Sequence, residues 1–118
     1  MNQAKKACPA PVLSDAQIME ASRLFSMLAE PVRLKLLRSL MEEDLTVSEL
    51  VEATGCKQAN VSKHLSLLLS SALVERTKEG TSARYSITDP FLKQLCLIVC
   101  GRTEAVAKDK LRSLVSIH

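Results

Sequence analysis

Two cysteines near the end of the chain, Cys96 and Cys100, have the residue type and spacing to bind a soft ion. They are four positions apart in an apolar segment that predicts a helix, so their Cβ atoms are expected roughly 5–6 Å apart on one face. Because soft ions prefer thiolate ligands, the pair could bind As(III) or Sb(III), with Cys8 as a third sulfur from the same or a second subunit. A reactive thiol pair could instead react with persulfides or peroxides. Packing in an apolar core is an equal alternative, because cysteine is a small and mostly buried side chain.

A second group of polar side chains lies on one face of a predicted helix of about residues 57–70, opposite a face of regularly spaced apolar residues. Gln58 and Asn60 can pair with adenine edges in the DNA major groove, and they lie near the helix N-terminus, which usually contacts the bases. Lysine and serine side chains suit phosphate, and His64 has core packing as its alternative. The candidate DNA contacts on this helix are Lys57, Gln58, Ala59, Asn60, Ser62, Lys63 and His64.

A β-hairpin of about residues 73–87, with Gly80 in its turn, is predicted directly after this helix. Residues 57–86 contain five Lys or Arg and two Asp or Glu, an excess of three positive charges that equals the formal net charge of the whole chain, +3. A local excess of this kind is what a phosphate-binding surface needs. The candidate phosphate contacts on the hairpin are Arg76, Lys78 and Arg84.

Two helices are predicted before this basic segment. Ser14 and Gln17 form a capping-box pattern that begins a helix of about residues 14–29. Pro31 suits the first turn of a second helix. Residues 1–13 lie outside both helices and are expected to form an extended arm.

The segment before the predicted helix of about residues 57–70 predicts a shorter helix that would pack beside it. Residues 46–49 form a second capping box, which opens a short helix ending near Ala53, and Gly55 suits the turn that follows. Two short helices joined by a turn containing glycine are typical of a helix-turn-helix. A hairpin directly after it is expected to be a wing.

A last helix is predicted from the pair Asp89-Pro90, an N-cap followed by proline in the first turn. Residues 91–100 are apolar almost all round, so we expect this part of the helix to be buried. Gly101 could end the helix. Residues 102–115 have a helical pattern as well, and the sequence does not decide whether they continue it.

Length and composition are those of one folded domain: 118 residues, 47% hydrophobic and 25% charged. With 3% aromatic residues the core must be aliphatic, and dimerisation would stabilise such a small core. No segment approaches the ~20 apolar residues of a membrane span, and the first residues lack the apolar run of a signal peptide. We therefore expect a cytoplasmic protein with no membrane partner, whose cysteines are thiols, with Cys56 incidental.

Several segments resemble the ArsR/SmtB family of regulators, and the match covers about residues 20–90. The resemblance implies a winged helix-turn-helix homodimer whose first and last helices form the interface. It also implies a repressor that leaves its operator, a double-stranded and imperfect inverted repeat, when an inducer binds. The matching segments are LFSMLAEPVRLKLL (24–37), LTVSEL (45–50), QANVSKHL (58–65) and, in the wing, Leu73-Val74, Glu79-Gly80 and Arg84-Tyr85.

The sequence departs from the family at its familiar metal sites. Thr46 and Ser48 stand where one site has a Cys-x-Cys pair. Asp89 matches an aspartate of the other site, but Phe91 and Arg102 stand where histidines are expected. A zinc or cobalt sensor of the familiar kind is therefore not expected, which leaves Cys96, Cys100 and Cys8 as candidate ligands for arsenite or antimonite.

Taken together, the residues predict a mainly α-helical winged helix-turn-helix of residues 14–118 with a small β-hairpin, dimerising through helices 14–29 and about 90–115. The predicted function is a DNA-binding repressor released by a thiol-reactive inducer. The alternatives are a persulfide or redox sensor, a regulator without inducer, and a winged-helix protein-interaction module. No nucleophile–base pair or phosphate-binding loop suggests an enzyme.

Overall fold

The capping and turn signals of the sequence produce a mainly helical domain with one small sheet in the computed structural model, which describes residues 12–116. No helix within that range is long and apolar enough to cross a membrane. The predicted arm of residues 1–13 falls almost wholly outside the described residues, and Cys8 lies outside them. In chain order the elements are α1 (Asp15–Leu28), α2 (Pro31–Glu42), β1 (Leu45–Thr46), α3 (Val47–Thr54), α4 (Gln58–Ser70), β2 (Val74–Glu79), β3 (Ser82–Ile87) and α5 (Pro90–Ser116).

Both predicted capping boxes are present. The Ser14 hydroxyl accepts a hydrogen bond from the Gln17 backbone N–H at 3.2 Å, and the Gln17 side chain accepts one from the Ser14 N–H at 2.8 Å. Thr46 and Glu49 repeat this arrangement at the start of α3. Helix α3 ends at Thr54, and its C-cap Gly55 has a left-handed φ of 72°, which glycine adopts without strain. These bonds satisfy backbone groups that helix ends otherwise leave unpaired.

The hydrophobic core lies between α2, α3, α4 and the sheet, and the start of α5 contributes one side chain to it. It is aliphatic apart from one tyrosine, as the composition predicted. Burial of this apolar surface fixes the angle between α3 and α4, and therefore the presentation of the helix-turn-helix. The core residues are Leu36, Leu37, Leu40, Leu45, Leu50, Val61, Leu65, Leu68, Leu73, Val74, Tyr85, Ile87 and Leu92.

The sheet is antiparallel, with strand order β1-β3-β2. The hairpin β2–β3 was predicted, and Gly80 occupies its turn with a φ of 63°. Strand β1 was not predicted, because a two-residue strand is too short to show an alternating pattern. Its pairing of Leu45 with Tyr85 joins the base of the wing to the helix-turn-helix.

Helix α5 answers one question that the sequence left open and differs from the prediction in one respect. It runs unbroken through Gly101, and its apolar first half is mostly exposed in the single chain, with Phe91 76% and Ile98 68% exposed. The predicted burial of this half is therefore wrong for one subunit. The predicted N-cap is present, because the Asp89 carboxylate accepts backbone N–H bonds from Phe91 at 2.9 Å and Leu92 at 3.3 Å.

Candidate DNA-binding surface

Helix α4 has two distinct faces. Val61, Leu65 and Leu68 are at most 1% exposed and anchor one face in the core. The opposite face is polar and solvent-exposed over the first two turns, as the sequence predicted. Its exposed members are Lys57, Gln58, Ala59, Asn60, Ser62 and Lys63.

The N-terminus of α4 lacks a side-chain cap. Its N-cap residue, Lys57, has an extended backbone and makes no side-chain capping bond. The first backbone N–H groups of α4 therefore have no side-chain acceptor from this cap. Such groups, together with the helix dipole, favour phosphate.

His64 does not belong to this exposed face. His64 is only 8% exposed, and its ring lies between Arg33 and Glu30. The Arg33 Nη1 atom is 3.1 Å from Nδ1, and the Glu30 Oε2 atom is 3.4 Å from Nε2. His64 therefore has the packed position that the sequence left open as the alternative to a DNA contact, because both ring nitrogens face protein groups.

Glu30 and Arg33 were not singled out in the sequence, although Glu30 directly precedes Pro31 and so had the position of a helix N-cap. The Glu30 carboxylate accepts backbone N–H bonds from Val32 at 3.1 Å and Arg33 at 3.4 Å. Burial raises the pKa of the Glu30 carboxyl, but these N–H bonds and the charge of Arg33 hold the pKa below its ordinary value. Glu30 is therefore an anion near neutral pH.

Arg84 lies on β3 of the wing and has carboxylate partners that the sequence did not predict. Its guanidinium donates to Glu79 at 3.0 Å, to Glu49 at 3.1 Å and to the Asp44 carbonyl at 3.1 Å. Hydrogen bonding and charge from Glu79, and then the charge of Glu49, raise the pKa of Arg84. Arg84 thus holds the wing to the start of α3, and its charge is compensated by two carboxylates, which argues against the predicted phosphate contact.

The other two wing cations are exposed. Arg76 and Lys78 are two positions apart on β2, so they share one face of the hairpin, while Glu75 and Glu79 lie on the other. Strand alternation therefore separates the positive side chains of β2 from the negative ones. Among residues 12–116, none of four candidate cations takes part in an ion pair: Lys57, Lys63, Arg76 and Lys78.

The candidate thiol site lies on α5. Cys96 is half-buried against the core, and burial raises the pKa of its thiol, whereas Cys100 is exposed. Within the part of the chain that the structure describes, no three His, Cys, Asp or Glu side chains cluster as metal ligands. Cys56 is partly buried, with its Sγ 4.0 Å from the Thr54 carbonyl oxygen. A third sulfur ligand for Cys96 and Cys100 would have to come from Cys8 or another subunit.

Comparison with known sequences relates the chain to bacterial regulators. Residues 30–76 match the family described as "Bacterial regulatory protein, arsR family". A probable mercury resistance operon repressor of Streptomyces lividans is 39% identical over 77 residues, which are 65% of this chain and 62% of that protein. The chain also spans 64–65% of the length of two further relatives.

Solved structures share this fold over most of the chain. The AntR antimony-specific transcriptional repressor superposes with a TM-score of 0.78 at 27% identity, over 85% of this chain and 91% of that one. A second similar structure is the homodimeric winged helix-turn-helix DNA-binding domain of Mb0332 from Mycobacterium bovis, a possible ArsR-family regulator. It superposes with a TM-score of 0.68 at 30% identity, over 86% of this chain and 94% of that one. The chain belongs to the arsR family of bacterial regulatory proteins and has their winged helix-turn-helix fold.

Proposed function

We propose that this protein is a transcriptional repressor that binds double-stranded operator DNA through α4 and the β2–β3 wing. The observation that carries the proposal is the exposed polar face of α4, whose lysines, like Arg76 and Lys78 of the wing, make no ion pair within residues 12–116. Gln58 and Asn60 are assigned to base edges in the major groove. Lys57, Ser62, Lys63 and the two wing cations are assigned to phosphates.

The proposed repressor is a homodimer in the cytoplasm. Apolar side chains are exposed along both terminal helices, such as Phe25 on α1 and Ile98 and Leu111 on α5. A second copy of the chain would cover them, as expected from the homodimeric state of the Mb0332 domain. A twofold axis would place two α4 helices on successive turns of the DNA, which suits an inverted repeat.

The proposed inducer is arsenite or antimonite, bound by Cys96 and Cys100 with Cys8 as a candidate third ligand. As(OH)₃ and two thiols give a dithiolate of As(III) and two water molecules; each thiol proton leaves with a hydroxide, and no oxidation state changes. The raised pKa of Cys96 does not oppose this exchange, because the reacting thiol is neutral. A divalent soft cation would have to displace the protons first. The antimony specificity of the similar AntR repressor supports the choice of ion.

The test is fluorescence anisotropy of the reduced protein on the DNA upstream of its own gene, with and without arsenite. We expect tight binding that arsenite reverses in the wild type but not in Cys96→Ser/Cys100→Ser. The control is Cys56→Ser, which should still respond. Binding that arsenite leaves unchanged would contradict the metalloid site and direct the search to persulfides and oxidants. Absence of binding to any duplex would favour a protein-interaction module.

A further inference from the structure

Three helices meet at one small polar cluster, formed by Glu30, Arg33 and His64. His64 lies on the inner side of α4, next in sequence to Lys63 of the candidate DNA-binding face. Among the residues that the structure describes, it is the one buried polar side chain outside the hydrophobic core. Glu30 is the N-cap of α2, and Arg33 belongs to the first turn of that helix. The cluster therefore joins the middle of α4 to the beginning of α2.

The same cluster holds the end of α1. The Arg33 Nε atom donates to the Met27 carbonyl at 2.6 Å, and Nη2 donates to the Ser26 carbonyl at 3.4 Å. Both carbonyls lie in the last turn of α1, and the Ser26 carbonyl also accepts from the Ala29 N–H at 3.3 Å. One guanidinium thus contacts α1 and α4 at once. A displacement of α1 would have to break or carry along its bond to His64.

The chemistry of the partners fixes the protonation state that this arrangement needs. Arginine can only donate, so the Nδ1 atom of His64 must accept from Arg33 and cannot carry a proton. The Nε2 atom then carries the proton and lies 3.4 Å from the Glu30 carboxylate. Protonation of Nδ1 would place a positive N–H against the Arg33 guanidinium. The contact between α4 and the α1–α2 junction therefore requires a neutral His64.

We propose that Glu30, Arg33 and His64 position α4 for DNA binding by linking it to the α1–α2 junction. We further propose that protonation of His64 breaks this link. The inference rests on the proposed DNA-binding function of α4. The charged groups that face the ring are Glu30 and Arg33; α1 contributes the two carbonyls to Arg33, and Lys63 on α4 is exposed. His64 is a positioning residue in this scheme, since it acts through the placement of its neighbours.

The proposal predicts a pH response opposite in sign to that of a direct phosphate contact. An imidazolium on phosphate would strengthen DNA binding as the pH falls. Loss of the contact between His64 and Arg33 would instead weaken DNA binding as the pH falls. His118 is the only other histidine of the chain, so His118→Asn serves as the matched control for histidine titration.

The experiment measures anisotropy on the same upstream duplex from about pH 8 to about pH 5.5, at constant salt, for the wild type, His118→Asn, His64→Asn and His64→Leu. We expect the wild type and His118→Asn to lose affinity towards low pH relative to His64→Asn. The amide oxygen that His64→Asn introduces can still accept from Arg33, but the amide does not titrate. His64→Leu should bind roughly 2- to 30-fold more weakly at pH 8 with an unchanged salt slope.

Several outcomes would overturn the proposal. One is stronger binding at low pH that His64→Asn abolishes, which would indicate a direct phosphate contact. Another is a wild-type pH profile identical to that of His64→Asn. If circular dichroism shows that His64→Leu does not fold, the comparison of the wild-type and His64→Asn pH profiles still tests the proposal. A wild type that binds DNA at no pH contradicts the proposed function itself, whereas binding with the wrong pH response contradicts only the positioning role.

Discussion

At the scale of single residues, cations that are alike in the sequence have different partners in the fold. Lys63 is exposed on α4 with no ion pair within residues 12–116, whereas Arg84 is held by Glu49 and Glu79. Only an uncompensated cation gains much from a DNA phosphate, because a paired one must first give up its carboxylates. Formal charge along the sequence therefore overstates the charge that this surface offers to DNA.

We predict that Lys63→Ala lowers the slope of log affinity against log salt by about one unit, because one phosphate contact is lost. Arg84→Ala should change the slope by much less and weaken binding mainly by loosening the wing. The measurement is a salt titration of DNA binding by anisotropy. Lys93→Ala, which removes an exposed lysine at the start of α5, is the control and should leave the slope unchanged. Equal slope losses for Lys63→Ala and Arg84→Ala would restore the phosphate role of Arg84.

At the scale of elements, the connection from α4 to the wing depends on a strained residue. Ala72 has a φ of 61°, in the left-handed region that favours glycine. Its N–H donates to the Leu69 carbonyl, and the N–H of Leu73 donates to the Leu68 carbonyl, both at 3.0 Å. This pair of bonds is a Schellman motif, which normally ends in glycine. The motif turns the chain sharply from α4 into β2.

We predict that Ala72→Gly stabilises the protein by about 0.5–1 kcal/mol, because relief of left-handed strain exceeds the added entropy of the unfolded chain. Chemical denaturation gives the free energy of unfolding. Ala53→Gly is the matched control: Ala53 is exposed in the last turn of α3 with an ordinary helical backbone, and its replacement should destabilise by up to about 1 kcal/mol. Destabilisation by Ala72→Gly would show that the strain energy of Ala72 is smaller than the entropic cost of a glycine in the unfolded chain.

At the scale of the whole molecule, α5 is a 27-residue helix that contributes one side chain, Leu92, to the buried core. Leu97, Ile98 and Leu111 are each more than 60% exposed. An exposed apolar surface of this extent indicates a protein–protein contact. A second copy of the chain accounts for it under the proposed dimer, and it also explains why the sequence of residues 91–100 predicted burial.

We predict that Ile98→Glu weakens dimerisation by roughly 30-fold or more, because it places a charge in an apolar interface. Sedimentation equilibrium measures the dimer dissociation constant. Gln94→Glu is the control: it adds the same charge at an exposed polar position of α5 and should have little effect. A dimer unaffected by Ile98→Glu would place the interface elsewhere and leave the exposed face of α5 without its proposed partner.

Most of the fold follows from the sequence because its signals are local. The capping boxes at Ser14 and Thr46 and the turn glycines Gly55 and Gly80 act over three or four neighbouring residues. Their spacing alone therefore predicts where helices begin and where the chain turns. The helix-turn-helix, the wing and the exposed polar face of α4 follow from these signals and from helical periodicity, and resemblance to a known family adds the dimer and the repressor role.

The partners of individual side chains depend on the tertiary structure. His64 meets Arg33 across 31 positions of the sequence, and Arg84 meets Glu49 across 35. No local pattern encodes such pairs, because packing of α2, α3, α4 and the sheet brings them together. The sequence by itself determined the family, the elements and a segment with an excess of positive charge. The tertiary structure decided which charges are free for phosphate, since a charge is available only where folding has not already paired it.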